Sequence, residues 1–298
     1  MAATIFDIAN QLNLSTSTVS KALNGYTDVA AETRAQVLQT ALELGYQPSA
    51  SARNLRRGRT DKIGLFMNTS LEYVVDYLSG IIPGAVRQAK QYDKNLIIYT
   101  ITDDDPQQLI KVCRGGEIDG VILFSTHYDS QTIDALLTSN FPLVVMGRRI
   151  EDQRVSYVIP DYYDGSYQAT QYLIGRGHER IAFMTRPQLT TANESRLQGY
   201  VDALQEAGIE RDAQLIVETR LEPQSGRQPT QALLALDEWP TAIFAFHDLV
   251  ALDVMQVLRE NGLSVPEDIA VMGFDGLRAG LMTQPNITTI AQPLERIG

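Results

Sequence analysis

Residues Thr16 to Asn24 read T-S-T-V-S-K-A-L-N, a stretch too polar for a buried helix and too regular for a loop. Val19, Ala22 and Leu23 recur at helical spacing and point inward, while Thr16, Ser17, Ser20, Lys21 and Asn24 share the opposite face. Upstream, Ile5, Ile8, Ala9 and Leu12 mark one side of a preceding helix, and Asn13-Leu14-Ser15 interrupts it with Ser15 as the next N-cap. A third helix is expected from Ala31 to Leu44, with Val37, Leu38, Ala41 and Leu44 inward, Ala30 as a poor cap and Gly45 as the stop. In such a trihelical unit the second helix keeps one face bare, and short side chains there let its backbone approach a major groove closely. Thr16 and Ser17 can then exchange hydrogen bonds with base edges and touch thymine methyls, and Lys21, one turn on, can reach guanine or a phosphate. A small helical packing domain with a polar surface would show the same pattern.

The charge distribution is compatible with the first of these two readings, although a solvated charge run in a linker is the default reading of its arginine cluster. The chain of 298 residues carries a net charge of −11, which argues against nucleic acid until it is divided at Lys62. Residues 1–62 hold seven basic and five acidic side chains, a net of +2, leaving −13 for the rest. Phosphate repels the acidic body, so only the head could lie on a duplex. Four of its cations, Arg53, Arg56, Arg57 and Arg59, fall in R-N-L-R-R-G-R around one apolar residue, Leu55. Alone this segment is a linker too short to hold a helix. Against DNA, beside its twin from a second subunit, it could form one that wedges Leu55 into the minor groove while Arg53 and Arg56 meet flanking phosphates.

These stretches, T-I-F-D-I-A-x-x-L-x-L-S-x-x-T-V-S-K-A-L-N-G, V-A-A-E-T-R and L-G-Y-Q-P-S-A-S-A-R-N-L-R-x-G-R-T, resemble the head of the LacI/GalR family of bacterial transcription regulators. The resemblance implies that Thr16, Ser17 and Lys21 read bases and that Leu55 is the intercalating residue of a hinge helix. It further implies a helix-turn-helix head over residues 1–48, a hinge over 49–61 and an effector and dimerisation domain over 62–298. Ser49 departs from the asparagine usual after the proline, and Ala30 from a polar cap; both departures bear on head stability more than on base reading.

From Lys62 onward short apolar runs alternate with amphipathic stretches, as in parallel sheets flanked by helices. Strands are expected at I-G-L-F-M, N-L-I-I-Y-T, D-G-V-I-L-F, P-L-V-V-M-G, R-I-A-F-M, T-A-I-F-A-F and D-I-A-V-M-G-F. The uneven run from Arg149 to Tyr157 suits a crossing between lobes, and Gln284-Pro285-Asn286 a second. With the resemblance, this gives an all-α head plus a two-lobed α/β domain like the type I periplasmic binding proteins. Lobe 1 would comprise about 62–158 plus 287–298, and lobe 2 about 159–286. The final L-E-R-I-G looks like a helix beginning, so the chain reads as shortened relative to the family.

Open α/β sheets bind ligands beyond the carboxyl ends of their strands, so the residues that follow each run are the candidates. They include Asn68, Thr69, Ser70, Tyr73 and Tyr77; Phe124 with Ser125, Thr126 and His127; Asp161 and Tyr162; Thr190 and Arg196; His247 and Asp248; and Asp275. Carboxylates and a guanidinium can hold paired hydroxyls while rings stack on the apolar face of a sugar. Each has a plainer alternative: Asp161, Asp248 and Asp275 could cap the helices that follow, with capping preferred for Asp248, and Tyr73 and Phe124 could be core. The resemblance places Arg196 and Asp275 among effector contacts, and Asp161 at a position that often touches ligand. His247 stands where asparagine is common. Thr190, Ala192 and Leu221 occupy places where a purine-responsive relative would want more polar or aromatic contacts, so a sugar-like effector is expected over a nucleobase.

No G-x-S-x-G, P-loop, H-E-x-x-H or glycine-rich dinucleotide turn occurs, so an enzyme is not expected. One cysteine, Cys113, excludes an internal disulfide, and with His127, His178 and His247 scattered no metal or other cofactor is expected. No signal sequence or span-length apolar run is read, which points to the cytoplasm and away from membranes. A sugar carrier would share the body without the head. The expectation is therefore a homodimeric regulator, a repressor rather than an activator, with double-stranded operator DNA and a small effector as partners.

Overall fold

The computed structural model describes residues 3–46, 58–68, 74–101, 106–124, 130–138, 141–187 and 190–298. The chain divides into two units, Met1–Thr60 and Asp61–Gly298.

The first unit is built from α1 (Ile5–Leu12), α2 (Thr16–Leu23) and α3 (Ala31–Glu43). Ile8, Ala9, Val19, Ala22, Val29, Val37 and Ala41 close its core, with Ile5, Leu12, Leu23 and Leu44 at its margin. Asn13, in the left-handed region at φ 53°, turns the chain between α1 and α2, and the Ser15 hydroxyl caps α2 by accepting from the Thr18 N–H at 3.0 Å. Gly45, at φ 61°, ends α3 as expected, and Ala30 makes no side-chain cap. Leu38 is the exception: it is 45% exposed, and Thr40 is buried in its stead. Val37, Thr40, Ala41 and Leu44 are the strict i, i+3, i+4, i+7 set, and Leu38 lies one residue, about 100°, off that stripe.

The second unit holds two parallel sheets. The first contains β1 (Lys62–Asn68), β2 (Asn95–Ile101), β3 (Gly120–Phe124), β4 (Leu143–Met146) and β5 (Ser156–Val158) in the order β2-β1-β3-β4-β5. Helices α4 (Val74–Gln91), α5 (Pro106–Arg114) and α6 (Ser130–Thr138) connect its strands, and Cys113 is buried near the end of α5. The second lobe runs α7 (Tyr162–Gly175), β6 (Ile181–Thr185), α8 (Thr191–Glu206), β7 (Ile216–Glu218), α9 (Arg227–Leu234), β8 (Ala242–Ala245), α10 (Asp248–Glu260), β9 (Ala270–Asp275) and β10 (Thr288–Ala291). Its sheet has the order β10-β9-β8-β6-β7. Every residue of β6, β8 and β9 is buried, as a strand covered by helices on both faces requires. Phe183 and Phe244 contribute roughly 1.5–3 kcal/mol each by leaving water, and Phe183 also stacks on Tyr200 with ring centroids 5.0 Å apart.

The chain passes from one lobe to the other between Val158 and Tyr162, and returns later than the sequence suggests. Residues Thr288 to Ala291 pair with β9 of the second sheet instead of rejoining the first lobe at 287. The Thr289 hydroxyl donates to Asp248 at 2.6 Å and Ile290 packs into the second lobe's core, which fixes the segment there. The return falls at Gln292 and Pro293, so of 287–298 the short helix α11 (Leu294–Ile297) is the part that lies on the first lobe. It crosses α4 at Gly84, where an added Cβ would collide with the Glu295 carbonyl.

Candidate effector cleft and DNA-reading helix

In a parallel sheet each strand delivers the chain, at its carboxyl end, to the N-terminus of a helix, and the crevice opens where successive connections take opposite sides. In the second lobe that point lies between β6 and β8, because β7 and β8 flank β6. Arg186 follows β6 and His247 follows β8. In the first lobe it lies between β1 and β3, which places Phe124 at the rim. A cavity of 660 Å³ opens between the lobes, with Tyr77, Phe124 and Met146 on one side and Tyr162, Arg186, Arg196, Phe246, His247 and Asp275 on the other. Gln292 joins the wall from the return segment, and Thr190 to Asn193, the first turn of α8, complete it.

Arg196 projects from α8 and is held between two rings, its guanidinium carbon 4.2 Å from the Tyr162 centroid and 4.5 Å from that of Phe274. Gly165 permits this sandwich, since a Cβ there would stand 2.8 Å from Phe274 Cζ. Arg196 Nη2 lies 3.8 Å from Asp275 Oδ1, too long for a hydrogen bond. Arg196 Nε and Asp275 Oδ2 are both buried without a hydrogen-bond partner. Asp275 closes β9 at φ 115°, a conformation that costs a non-glycine residue about 1–3 kcal/mol and is kept where surroundings over-determine it.

The protonation states follow from these contacts. His247 Nδ1 accepts from the Leu249 N–H at 3.2 Å and caps α10, so the ring proton sits on Nε2, 3.1 Å from Asp275 Oδ2. Burial, with Arg196 and Arg186 nearby, holds His247 down at about 3, so it is neutral. Burial pushes Asp275 up to about 8 against the pull of Arg196. Its Oδ1 accepts from the Gln292 amide, and Gln292 Oε1 accepts from the Tyr77 hydroxyl at 2.8 Å, so one chain of hydrogen bonds links the lobes.

The structure brings seven of the expected residues, Tyr77, Phe124, Tyr162, Thr190, Arg196, His247 and Asp275, to one cavity. Asp161 does not join them: it is exposed and caps α7 by accepting from the Asp164 N–H at 3.0 Å. Asp248, preferred as a cap, is a buried brace instead, accepting from the Leu277 N–H and the Thr289 hydroxyl, each at 2.6 Å; burial raises it to about 6. Tyr73, Thr69, Ser70, Ser125, Thr126 and His127 lie outside the described residues, as do Arg53, Leu55 and Arg56. Arg186 and Gln292 were not foreseen. Arg186 directly follows an apolar run, the signal that marks the other strand-end candidates, whereas Gln292 carries no motif.

On the head, Ser17 and Asn24 are exposed and Thr16, Ser20 and Lys21 half-buried. Asn24 is the C-cap of α2, its amide donating to the Ser20 carbonyl at 2.6 Å, so it stands past the helix end and not on the outer face. Lys21 Nζ is 2.5 Å from Asp28 Oδ2, which holds the ammonium toward the following loop.

Residues 4–49 match the family described as bacterial regulatory proteins, lacI family, and residues 60–298 match periplasmic binding proteins and sugar binding domain of LacI family. The chain belongs to the LacI family. It is a DNA-binding transcriptional regulator with an effector-binding domain. This LacI-family chain is 32% identical over 300 residues to the HTH-type transcriptional repressor PurR of Pasteurella multocida (strain Pm70), covering 99% of this chain and 89% of that one. It resembles the solved transcriptional regulator CelR–cellobiose complex at 32% identity and TM-score 0.74, covering 99% of this chain and 89% of that one. It also resembles the lac repressor dimer bound to operator and the anti-inducer ONPF, at 25% identity and TM-score 0.83 with the same coverage of 99% and 89%.

Proposed function

We propose that the protein is a cytoplasmic, homodimeric repressor whose operator affinity is set by a sugar-like effector in the cleft, and that it catalyses no reaction. In this reading α2 enters the major groove, where Thr16, Ser17, Ser20 and Lys21 meet base edges or phosphates and Asn24 anchors the helix end. Leu55 wedges the central minor groove and Arg53 and Arg56 hold flanking phosphates. In the cleft, Arg196 and Asp275 take paired hydroxyls, Tyr162 and Phe124 supply apolar walls, and His247 Nε2 donates. Closure of the lobes on the ligand changes the separation of the two hinges; the sign of the response follows from which state binds ligand better.

The observation that carries this reading is the buried pair of unsatisfied atoms, Arg196 Nε and Asp275 Oδ2, in a cavity that suits one small polyhydroxylated molecule. In support, the larger unit matches a sugar-binding domain and a similar structure is a cellobiose complex. Among the described residues no helix is long and apolar enough to cross a membrane, and no cluster of ligating side chains could hold a metal. The test is selection of sites from a randomised duplex library with the full chain, followed by affinity measurement with and without candidate sugars. Enrichment of a near-palindrome whose binding responds to one sugar is expected; the absence of any enriched sequence would defeat the proposal.

A further inference from the structure

Asp61 is the first residue of the second unit and directly precedes β1, so every subunit's head is tethered through it. Three of its polar groups are held by lobe 1. Its N–H donates to Asp119 Oδ2 at 2.9 Å, its carbonyl accepts from the Asn95 N–H at 2.8 Å, and its Oδ1 accepts from Lys94 Nζ at 2.5 Å. Lys94 Nζ also lies 3.6 Å from Asp119 Oδ2, so one ammonium stands against the carboxylates that precede β1 and β3.

Lys94 is itself fixed at the end of α4. Its N–H donates to the Ala89 carbonyl at 2.9 Å, and Asp93 before it turns the chain at φ 54°. Asp61 stands at φ 55°, in the left-handed region, which a non-glycine residue keeps only where its surroundings over-determine it. Sheet pairing does not impose this kink, since the register of β1 begins one residue later, with Lys62 opposite Asn95. An ion pair of this exposure, 23% for Lys94 and 32% for Asp61, adds little to folding stability; what it holds is the direction of the chain.

Released from Lys94, Asp61 would relax toward extended backbone and add its length to residues 58–60, which belong to no helix or strand. An extended residue spans about 3.5 Å, so two subunits would gain on the order of 7 Å of reach, the rise of about two base pairs. We propose, resting on the reading of two heads placed on one operator, that Lys94 is a positioning residue for DNA recognition. By pinning Asp61 to lobe 1 it fixes where each tether leaves the body, and so sets the half-site spacing that the dimer accepts.

The test takes the near-palindrome selected by the full chain and compares it with duplexes whose centre is longer or shorter by one and two base pairs. Fluorescence anisotropy gives the Kd of each for the parent, Lys94→Gln, Asp61→Asn, the double variant, Lys94→Arg and Lys90→Gln. The parent is expected to lose about tenfold or more on the site lengthened by two base pairs. In Lys94→Gln and in Asp61→Asn that penalty is expected to shrink about threefold or more, and no further in the double variant, because both substitutions remove the same pair. Lys94→Arg keeps the parent's penalty, and so does Lys90→Gln, which removes the same charge from the exposed last turn of α4. Thermal unfolding close to the parent's accompanies each substitution. A penalty in Lys94→Gln and Asp61→Asn equal to the parent's, or one lowered equally in Lys90→Gln, would overturn the positioning role and leave the two-headed reading standing. A parent that binds all spacings alike would remove both.

Discussion

Arg196 and Asp275 face each other across 3.8 Å, nearly excluded from solvent, with a gap where a hydrogen bond would ordinarily form. Neither is satisfied by the other: the guanidinium keeps a free Nε and the carboxyl a free Oδ2. A buried pair held apart in this way contributes little to stability and leaves its hydrogen-bonding capacity for a third party.

Arg196→Met follows directly. The aliphatic chain retains the contact between Tyr162 and Phe274, and because Asp275, raised to about 8, is a neutral carboxyl at pH 6, removing the guanidinium leaves no unpaired buried charge behind. Urea unfolding at pH 6 is expected to give a stability within about 1 kcal/mol of the parent, with ligand-induced stabilisation abolished.

Asp275→Asn tests the protonation state. A carboxyl whose folded pKa is raised favours the folded state below its unfolded value, near 3.8, and the advantage is lost as pH climbs through about 8. Asp248 acts in the same direction but finishes near 6. The amide cannot ionise, so Asp275→Asn should gain on the parent as pH increases, with a larger difference in urea midpoint at pH 8 than at pH 5. An equal difference at both would show that Asp275 titrates normally.

Ser15→Ala and Ser17→Ala separate fold from recognition on the head. Ser15 caps α2, and its loss should cost about 1 kcal/mol and weaken all duplexes alike. Ser17 is exposed, so its loss should leave stability unchanged and alter which base is preferred at one position. Thermal unfolding and binding to a panel of single-base variants distinguish the two effects.

Asp28→Asn should increase affinity for DNA and steepen its salt dependence, because it frees Lys21 from an exposed ion pair formed in the absence of a duplex. Fluorescence anisotropy over a range of salt concentrations measures both.

Seven strands were legible because continuous apolar runs have few other uses, and β6, β8 and β9 are buried throughout. Strands β5, β7 and β10 were not assigned. They span three or four residues, sit at sheet edges and contain no fully buried position, so they lack a distinguishing pattern. Leu38 misled because its apolar character suggested the core, whereas the spacing pointed to Thr40. At the site, Asp161 and Asp275 both close a strand-like run, and sequence alone does not separate a carboxylate that caps a helix from one that faces a cavity. The structure does: Asp161 accepts from the Asp164 N–H, while Asp275, at φ 115°, sets its Oδ2 in the cavity wall, 3.1 Å from His247 Nε2 but without a hydrogen bond that satisfies it. Gln292 was hidden because its role arises from bridging Tyr77 and Asp275, residues far apart along the chain.

The central claim is that occupancy of the cleft governs the grip on DNA. It is tested most directly by titrating the selected operator with the full chain, with and without saturating effector, in the parent and in Arg196→Met. Effector is expected to change the operator Kd of the parent by about fivefold or more and to leave that of Arg196→Met unchanged. An operator Kd in the parent indifferent to bound effector, or an equal response in both proteins, would contradict it.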